Sequence, residues 1–231
     1  MMKKKIILTI FLAIALVGLT ACSKLDVIGD QSIKSFDAML NKAADRVKED
    51  TASGGWSLEA PDRAVRFVWS RDFSKTTTYD AYLELDAQPF IDAGLDTSKL
   101  PDGMLAGDKL ILGTDFGNDA LTYNGEVTPL ASYKKIVELY RNNITYHTAL
   151  DHYGVDLMNG NMLEWAKDMS TNDKDLVFVL NPEVFINAGV DPNSVEGWVF
   201  AKVPTMDEKG NDIEVDKLLK PFDLDGKSKK K

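Results

Sequence analysis

The stretch LELDAQPFIDAGLD at 83–96 returns as FVLNPEVFINAGVD at 178–191. Leu85, Phe90, Ile91, Ala93, Gly94 and Asp96 recur as Leu180, Phe185, Ile186, Ala188, Gly189 and Asp191. Asp86 and Asp92 recur as the amides Asn181 and Asn187. Upstream, WSRDFS (69–74) matches WAKDMS (165–170), and Phe36, Leu40 and Val47 match Tyr133, Val137 and Ile144. The matches keep one order while the offset drifts only from 97 to 95, the signature of an internal duplication. Such a chain must build one arrangement twice and find a way to join the copies.

Each copy reads as the same run of elements. Ile33, Phe36, Leu40, Ala43 and Val47 step by three or four residues, which predicts a helix over 31–51 stopped by Gly54-Gly55. Tyr133, Ile136, Val137, Tyr140 and Ile144 predict its counterpart over 131–152, ended by Gly154. AVRFVWS (64–70), YDAYLELD (79–86) and DLVFVLN (175–181) read as strands. Asp86 and Asn181 are suited to cap a short helix, and Gly94 and Gly189 to close it in a left-handed conformation. Further strands are expected at KLILG (109–113) and WVFAKV (198–203), taken as counterparts, and LTYNGEVT (121–128) carries the Asn-Gly signal of a hairpin. The fold class is therefore α+β: two units of about 95 residues, each a long helix, antiparallel strands, a short helix and a strand. The first unit is expected over 31–130 with the inserted hairpin, and the second over 131–222.

The N-terminus reads differently. Lys3, Lys4 and Lys5 precede an apolar run from Ile6 to Leu19, too short to span a bilayer comfortably and typical of a secretory signal. The run ends in Leu19-Thr20-Ala21-Cys22, which resembles the lipobox of bacterial lipoprotein precursors. That resemblance implies cleavage before Cys22, a diacylglycerol on its sulfur, and anchorage on the extracytoplasmic face of a membrane. With Ser23 and not Asp after the cysteine, it implies the outer membrane in a two-membrane cell. Signal 1–21, a short tether 22–30 and a basic tail 223–231 would then frame the two units.

Charge narrows the partners. Lys plus Arg number 27 against 36 Asp plus Glu, a net charge of −9, and loss of the three signal lysines leaves 24 − 36 = −12. A body this acidic is a poor nucleic-acid binder. The single cysteine excludes an internal disulfide and a Cys-rich metal site. There is no phosphate-binding Gly-rich loop, nucleophile elbow, haem-attachment motif or EF-hand loop, so no cofactor and no metal is expected.

Candidate site residues are few. His147 and His152 are the only histidines. On the predicted helix His147 falls on the apolar stripe with Asp151 four residues on, a spacing at which a carboxylate can orient an imidazole. The same helix would turn His152 away from His147. Trp69 and Trp165 recur and read as core, whereas Trp56, after two glycines, is the candidate for an exposed aromatic platform. Asp72 and Asp168 recur as turn-capping acids. Cys22 is the lipid-attachment residue, and His147, Asp151, His152 and Trp56 are candidate ligand contacts. The expected function is a non-enzymatic module that binds a small molecule or a membrane-protein partner, with the groove between the units as the default site. The alternative is a cell-envelope hydrolase using His147, Asp151 and other carboxylates.

Overall fold

The computed structural model describes residues 27–51, 54–71, 79–114, 127–148, 150–157, 159–170, 174–206 and 211–225. The signal segment, Cys22, Asp72, residues 121–126 of the hairpin expected at 121–128 and the tail from 226 lie outside the described residues.

The chain is mixed helix and sheet. Helix α1 spans 27–42, so residues 27–30, expected in the tether, are helical. Strands β1 (Val47–Asp50), β2 (Gly55–Glu59), β3 (Val65–Ser70) and β4 (Ala81–Asp86) follow, then the short helix α2 (Gln88–Asp92), β5 (Leu105–Ala106) and β6 (Lys109–Thr114). The second half runs α3 (Pro129–Leu139), β7 (Ile144–His147), β8 (His152–Asp156), β9 (Met162–Ala166), β10 (Leu176–Leu180), α4 (Glu183–Asn187), β11 (Val199–Met206) and β12 (Asp212–Phe222). The strands form two six-stranded sheets ordered β1-β2-β3-β4-β6-β5 and β7-β8-β9-β10-β12-β11. Every ladder is antiparallel, and the two orders are the same when counted from the first strand of each sheet.

Both long helices stop earlier than their stripes suggest. After α1 the chain turns at 43–46, and Val47 enters β1 opposite Leu58. After α3 a 3-10 turn at Arg141–Asn143 delivers Ile144 to β7 opposite Val155. Val47 and Ile144 keep a helical spacing from the preceding apolar residue, yet both are strand residues in a hairpin, Val47 half-buried and Ile144 buried. The β-branched pair Ile144-Thr145 favours that pleated conformation. Thr128 caps α3 by accepting the Ala131 N–H, with Pro129 at the first turn.

The two halves interlock through reciprocal contacts. Phe36 of α1 stacks on Tyr133 of α3 at 3.8 Å between ring centres. Phe36 also meets Trp69 of the first sheet and Trp165 of the second edge-on, at 5.8 and 5.1 Å. Full burial of a ring such as Phe36 is worth about 1.5–3 kcal/mol. Ser35 Oγ on α1 donates to Ala166 O on β9 at 2.8 Å, and Ser132 Oγ on α3 donates to Ser70 O on β3 at 2.7 Å. Lys42 of α1 pairs with the fully buried Asp175 beside β10, and Tyr140 after α3 donates to Asp80 beside β4. Each long helix is thus tied to the sheet of the other half.

A second joint forms at the recurring segment. Asp96 N–H donates to Ala188 O at 2.8 Å, and Asp191 N–H donates to Ala93 O at 2.9 Å. Phe90 and Phe185 meet at 4.6 Å. Gly94 and Gly189 hold φ of 104° and 98°, and a Cβ on Gly94 would stand 2.9 Å from Gly189 O. Glycine is required there twice over, for the backbone conformation and for the close approach.

Two further expectations are corrected. The cap of α2 is Ala87 with no side-chain bond, while Asp86 holds Lys109. By position in the sheets the counterpart of β6 is β12, not WVFAKV, which belongs to β11 and answers the two-residue β5. The tail is tied down at its start: Leu224 N–H donates to Asp175 Oδ2, and Asp225 pairs with Lys42.

Candidate functional site

The likeness of the two sheets makes their differences easy to find. One rung of the first sheet runs Leu58, Phe67, Leu83, Leu112. The same rung of the second runs Val155, Leu163, Phe178, Lys220. Lys220 is the one charged residue in these eight positions and is only 7% exposed. Its ammonium reaches across the seam to Asp62 at 2.8 Å, in the turn between β2 and β3, and donates to Gly197 O at 3.2 Å. The rings of Trp198 and Phe222 lie 5.6 and 5.7 Å away. That side of the seam is closed by a cation held among a carboxylate, a carbonyl and two aromatic faces.

On the other side Leu112 stands where Lys220 would be, and Asn159 lies in the turn between β8 and β9, which answers the turn that carries Asp62. A cleft of about 410 Å³ opens between them. The first half contributes Tyr79, Asp102, Met104, Ile111 and Gly113, and the second contributes Asn161, Asn181, Glu183, Val184 and Asn187. The volume lies in the range of small-molecule sites. Asn161 Oδ1 accepts Asn181 N–H at 3.0 Å, and Asn181 Oδ1 accepts Glu183 N–H at 3.1 Å. These bonds fix which way both amides face, so their NH2 groups are the donors they can offer a ligand. Lys217 and Asn181 meet around Gly160. Lys217 donates to Gly160 O at 2.8 Å, and burial pushes its ammonium below the usual lysine range against the pull of Asp156 and Glu164.

The outer faces of the sheets also differ. In the first sheet Arg66 forms a bidentate pair with Glu84, with bonds of 2.9 and 2.7 Å, and meets Asp50 at 2.9 Å. In the second sheet Met162 and Val179 hold the positions of Arg66 and Glu84. The polar group moves to β7, β8 and β9 instead.

His147 and His152 belong to that group. They lie on a hairpin, directly opposite each other, not on a helix. Both approach Glu164 of β9, His147 Nδ1 at 3.5 Å from Oε1 and His152 Nδ1 at 3.8 Å from Oε2. The hairpin thus unites two histidines that a helix would have separated, with a carboxylate the sequence reading did not select. The Glu164 hydrogen bond raises His147 above the ordinary histidine value, against the effect of partial burial. Burial would raise Glu164, but hydrogen bonds and charge from His147 and His152 hold it below the usual carboxylate value.

Asp151 is not the partner of His147. It occupies the turn with φ 54° and faces Tyr146 and Lys167. Trp56 is half-buried on β2, on the other sheet, with its ring against the core. Trp69 and Trp165 are core residues at 1% and 0% exposure. Asp168 caps its turn by accepting Ser170 N–H at 2.9 Å. Among the described residues no three His, Cys, Asp or Glu side chains form a group able to hold a metal ion, and no helix is long and apolar enough to cross a membrane.

The cleft residues were not singled out as ligand contacts from the sequence. One signal did mark them: the change of Asp86 and Asp92 to Asn181 and Asn187 between the recurring segments falls on this cleft. Comparison with known proteins adds no assignment, since no protein family, no curated protein and no solved structure matches the chain.

Proposed function

We propose that the chain is a lipid-anchored extracytoplasmic binding lipoprotein, built from a duplicated unit, whose cleft takes a small-molecule ligand close to the membrane. The observation that carries this reading is the broken likeness of the seam. One side is closed by Lys220, and the side with Leu112 and Asn159 is open at about 410 Å³. Fusion of two like units would supply the two sides, and divergence at a few positions would open one of them. Cys22 is the attachment residue in this reading, and two or more acyl chains there would hold the body stably at a bilayer. The described walls hold amides, the carboxylates Asp102 and Glu183, the ring of Tyr79 and aliphatic groups, and both histidines lie elsewhere.

The test uses the full chain recovered from host membranes. Native mass is compared with denatured mass, for the natural chain and for a Leu112→Lys, Asn159→Asp variant that copies the closed side onto the open one. A fixed extra mass carried by the natural chain and lost from the variant is the expected result. A bare mass for both overturns the reading. The anchor is tested separately by incorporation of labelled palmitate, which Cys22→Ser should abolish.

A further inference from the structure

We propose that the cleft takes a short neutral saccharide, with the apolar face of a sugar ring against Tyr79. This rests on the binding reading above and names its ligand class.

The first argument is charge. The described lining includes the carboxylates of Asp102 and Glu183 and no basic side chain. An anionic ligand would meet two like charges and no cation. The ammonium of Lys217, close to Asn181, is not part of that lining and donates to Gly160 O. The second argument is the donor and acceptor set. Carboxylates only accept, and amide NH2 groups only donate. A hydroxyl does both, so a ligand rich in hydroxyls can satisfy Asp102, Glu183 and the oriented amides of Asn161 and Asn181 together. Asp102 and Glu183 are exposed in the free chain, so a ligand that covers them and offers no partner costs about 1–3 kcal/mol for each.

The third argument is shape. Tyr79 rests on Gly113, where an added Cβ would come within 2.5 to 2.8 Å of Cγ, Cδ1 and Cδ2 alike. The ring therefore lies flat across the glycine, and Tyr79 forms one wall of the cleft. A flat aromatic wall beside aliphatic Met104, Ile111 and Val184 matches the CH face of a pyranose, while the amides and acids across the cleft match its hydroxyl rim. Gly113 acts as a positioning residue, because any side chain there would lift the ring.

The test is calorimetric titration of the full chain in a sugar-free detergent. The neutral probes are cellotetraose, maltotetraose and chitotetraose, and the competitors are tetragalacturonate and tetra-alanine. At least one neutral probe should bind. Tyr79→Ala and Gly113→Ala should each weaken it about tenfold or more, equivalent to about 1.4 kcal/mol, and Tyr79→Phe should retain it. Thermal melting checks that the variants fold, and Tyr79→Phe guards against an effect of misfolding. The saccharide assignment is overturned if no neutral probe binds, or if binding survives Tyr79→Ala. It is also overturned if only the galacturonate or the peptide binds; should Leu112→Lys, Asn159→Asp abolish that binding, the cleft would stand as a binding site for another class. No probe bound together with a bare native mass overturns both readings.

Discussion

The two sides of the seam lie between sheets of the same strand order and differ in their side chains. On one side a lysine lies in an otherwise apolar rung and spans the gap to Asp62, whereas on the other Leu112 lines an open cleft. The difference teaches where function can enter a fold built from like halves. The long helices and the joint at Gly94 and Gly189 must match their partners reciprocally, so neither half can change there without the other. The two mouths of the seam are not bound by that condition. A residue at one mouth touches nothing that depends on its counterpart at the other, and a change of a few side chains turns a closed contact into a cavity.

The comparison is broken most severely at the joint. Gly94→Ala places a methyl group 2.9 Å from Gly189 O and forces a side-chain-bearing residue to φ 104°. Such a position should cost about 2–4 kcal/mol, from strain and overpacking together. Gly189→Ala meets Gly94 O at 3.1 Å with φ 98° and should cost nearly as much. Because both act on one contact, the double variant should lose less than the sum of the single losses. Urea unfolding of the four proteins measures this. Full additivity would mean that the two glycines do not form one joint.

The closed mouth should respond next. Lys220→Ala removes a stem packed near Trp198 and Phe222 and the bond to Gly197 O, and it should destabilise the chain by about 2 kcal/mol. Asp62→Asn should cost far less, because Asp62 is 39% exposed and water screens its share of the ion pair. Ligand binding at the open mouth should be unchanged in both. Equal losses from Lys220→Ala and Asp62→Asn would show that the ion pair, and not the lysine stem, closes that side.

The sequence made the centre of this plan legible and lost its margins. Strands β3, β4 and β10 show period-two or continuous apolar runs and lie where the pattern puts them. The turns at Gly94 and Gly189 follow from local backbone chemistry and were readable for that reason. The helix ends were not, because Val47 and Ile144 keep a helical spacing that only the strand partners Leu58 and Val155 override. That error carried over to the histidines: read on a helix they diverge, and paired across a hairpin they converge on Glu164. The equation of KLILG with WVFAKV failed because β5 has two residues and β11 eight, so spacing after the recurring segment no longer tracks position in the sheet. A groove between the halves follows from the sequence only as a place, without residues. Its residues come from five separate stretches of chain, and no local spacing assembles them.

The outer faces offer the mildest way to sharpen the comparison, through pH. His147 in the second sheet is raised above its ordinary value of 6.5 by Glu164, so its favourable contribution is full below about 6.5 and fades as pH rises through the raised folded value. Glu164 is lowered from 4.5, chiefly by the histidines against the opposing effect of burial, so its contribution is full above about 4.5 and is lost as pH falls through the lowered folded value. Both groups are charged between those limits. Glu164→Gln should therefore cost most near pH 5.5, about 1 kcal/mol, and less as the pH rises through the raised His147 value. In the first sheet the partner of Glu84 is Arg66, which does not titrate in this range. The loss on Glu84→Gln should accordingly stay level from pH 5.5 to pH 8. Melting curves of the three proteins at the two pH values decide the matter. A level loss for Glu164→Gln would mean that His147 does not carry the pH dependence, and that the second sheet differs from the first in shape but not in its response to protons.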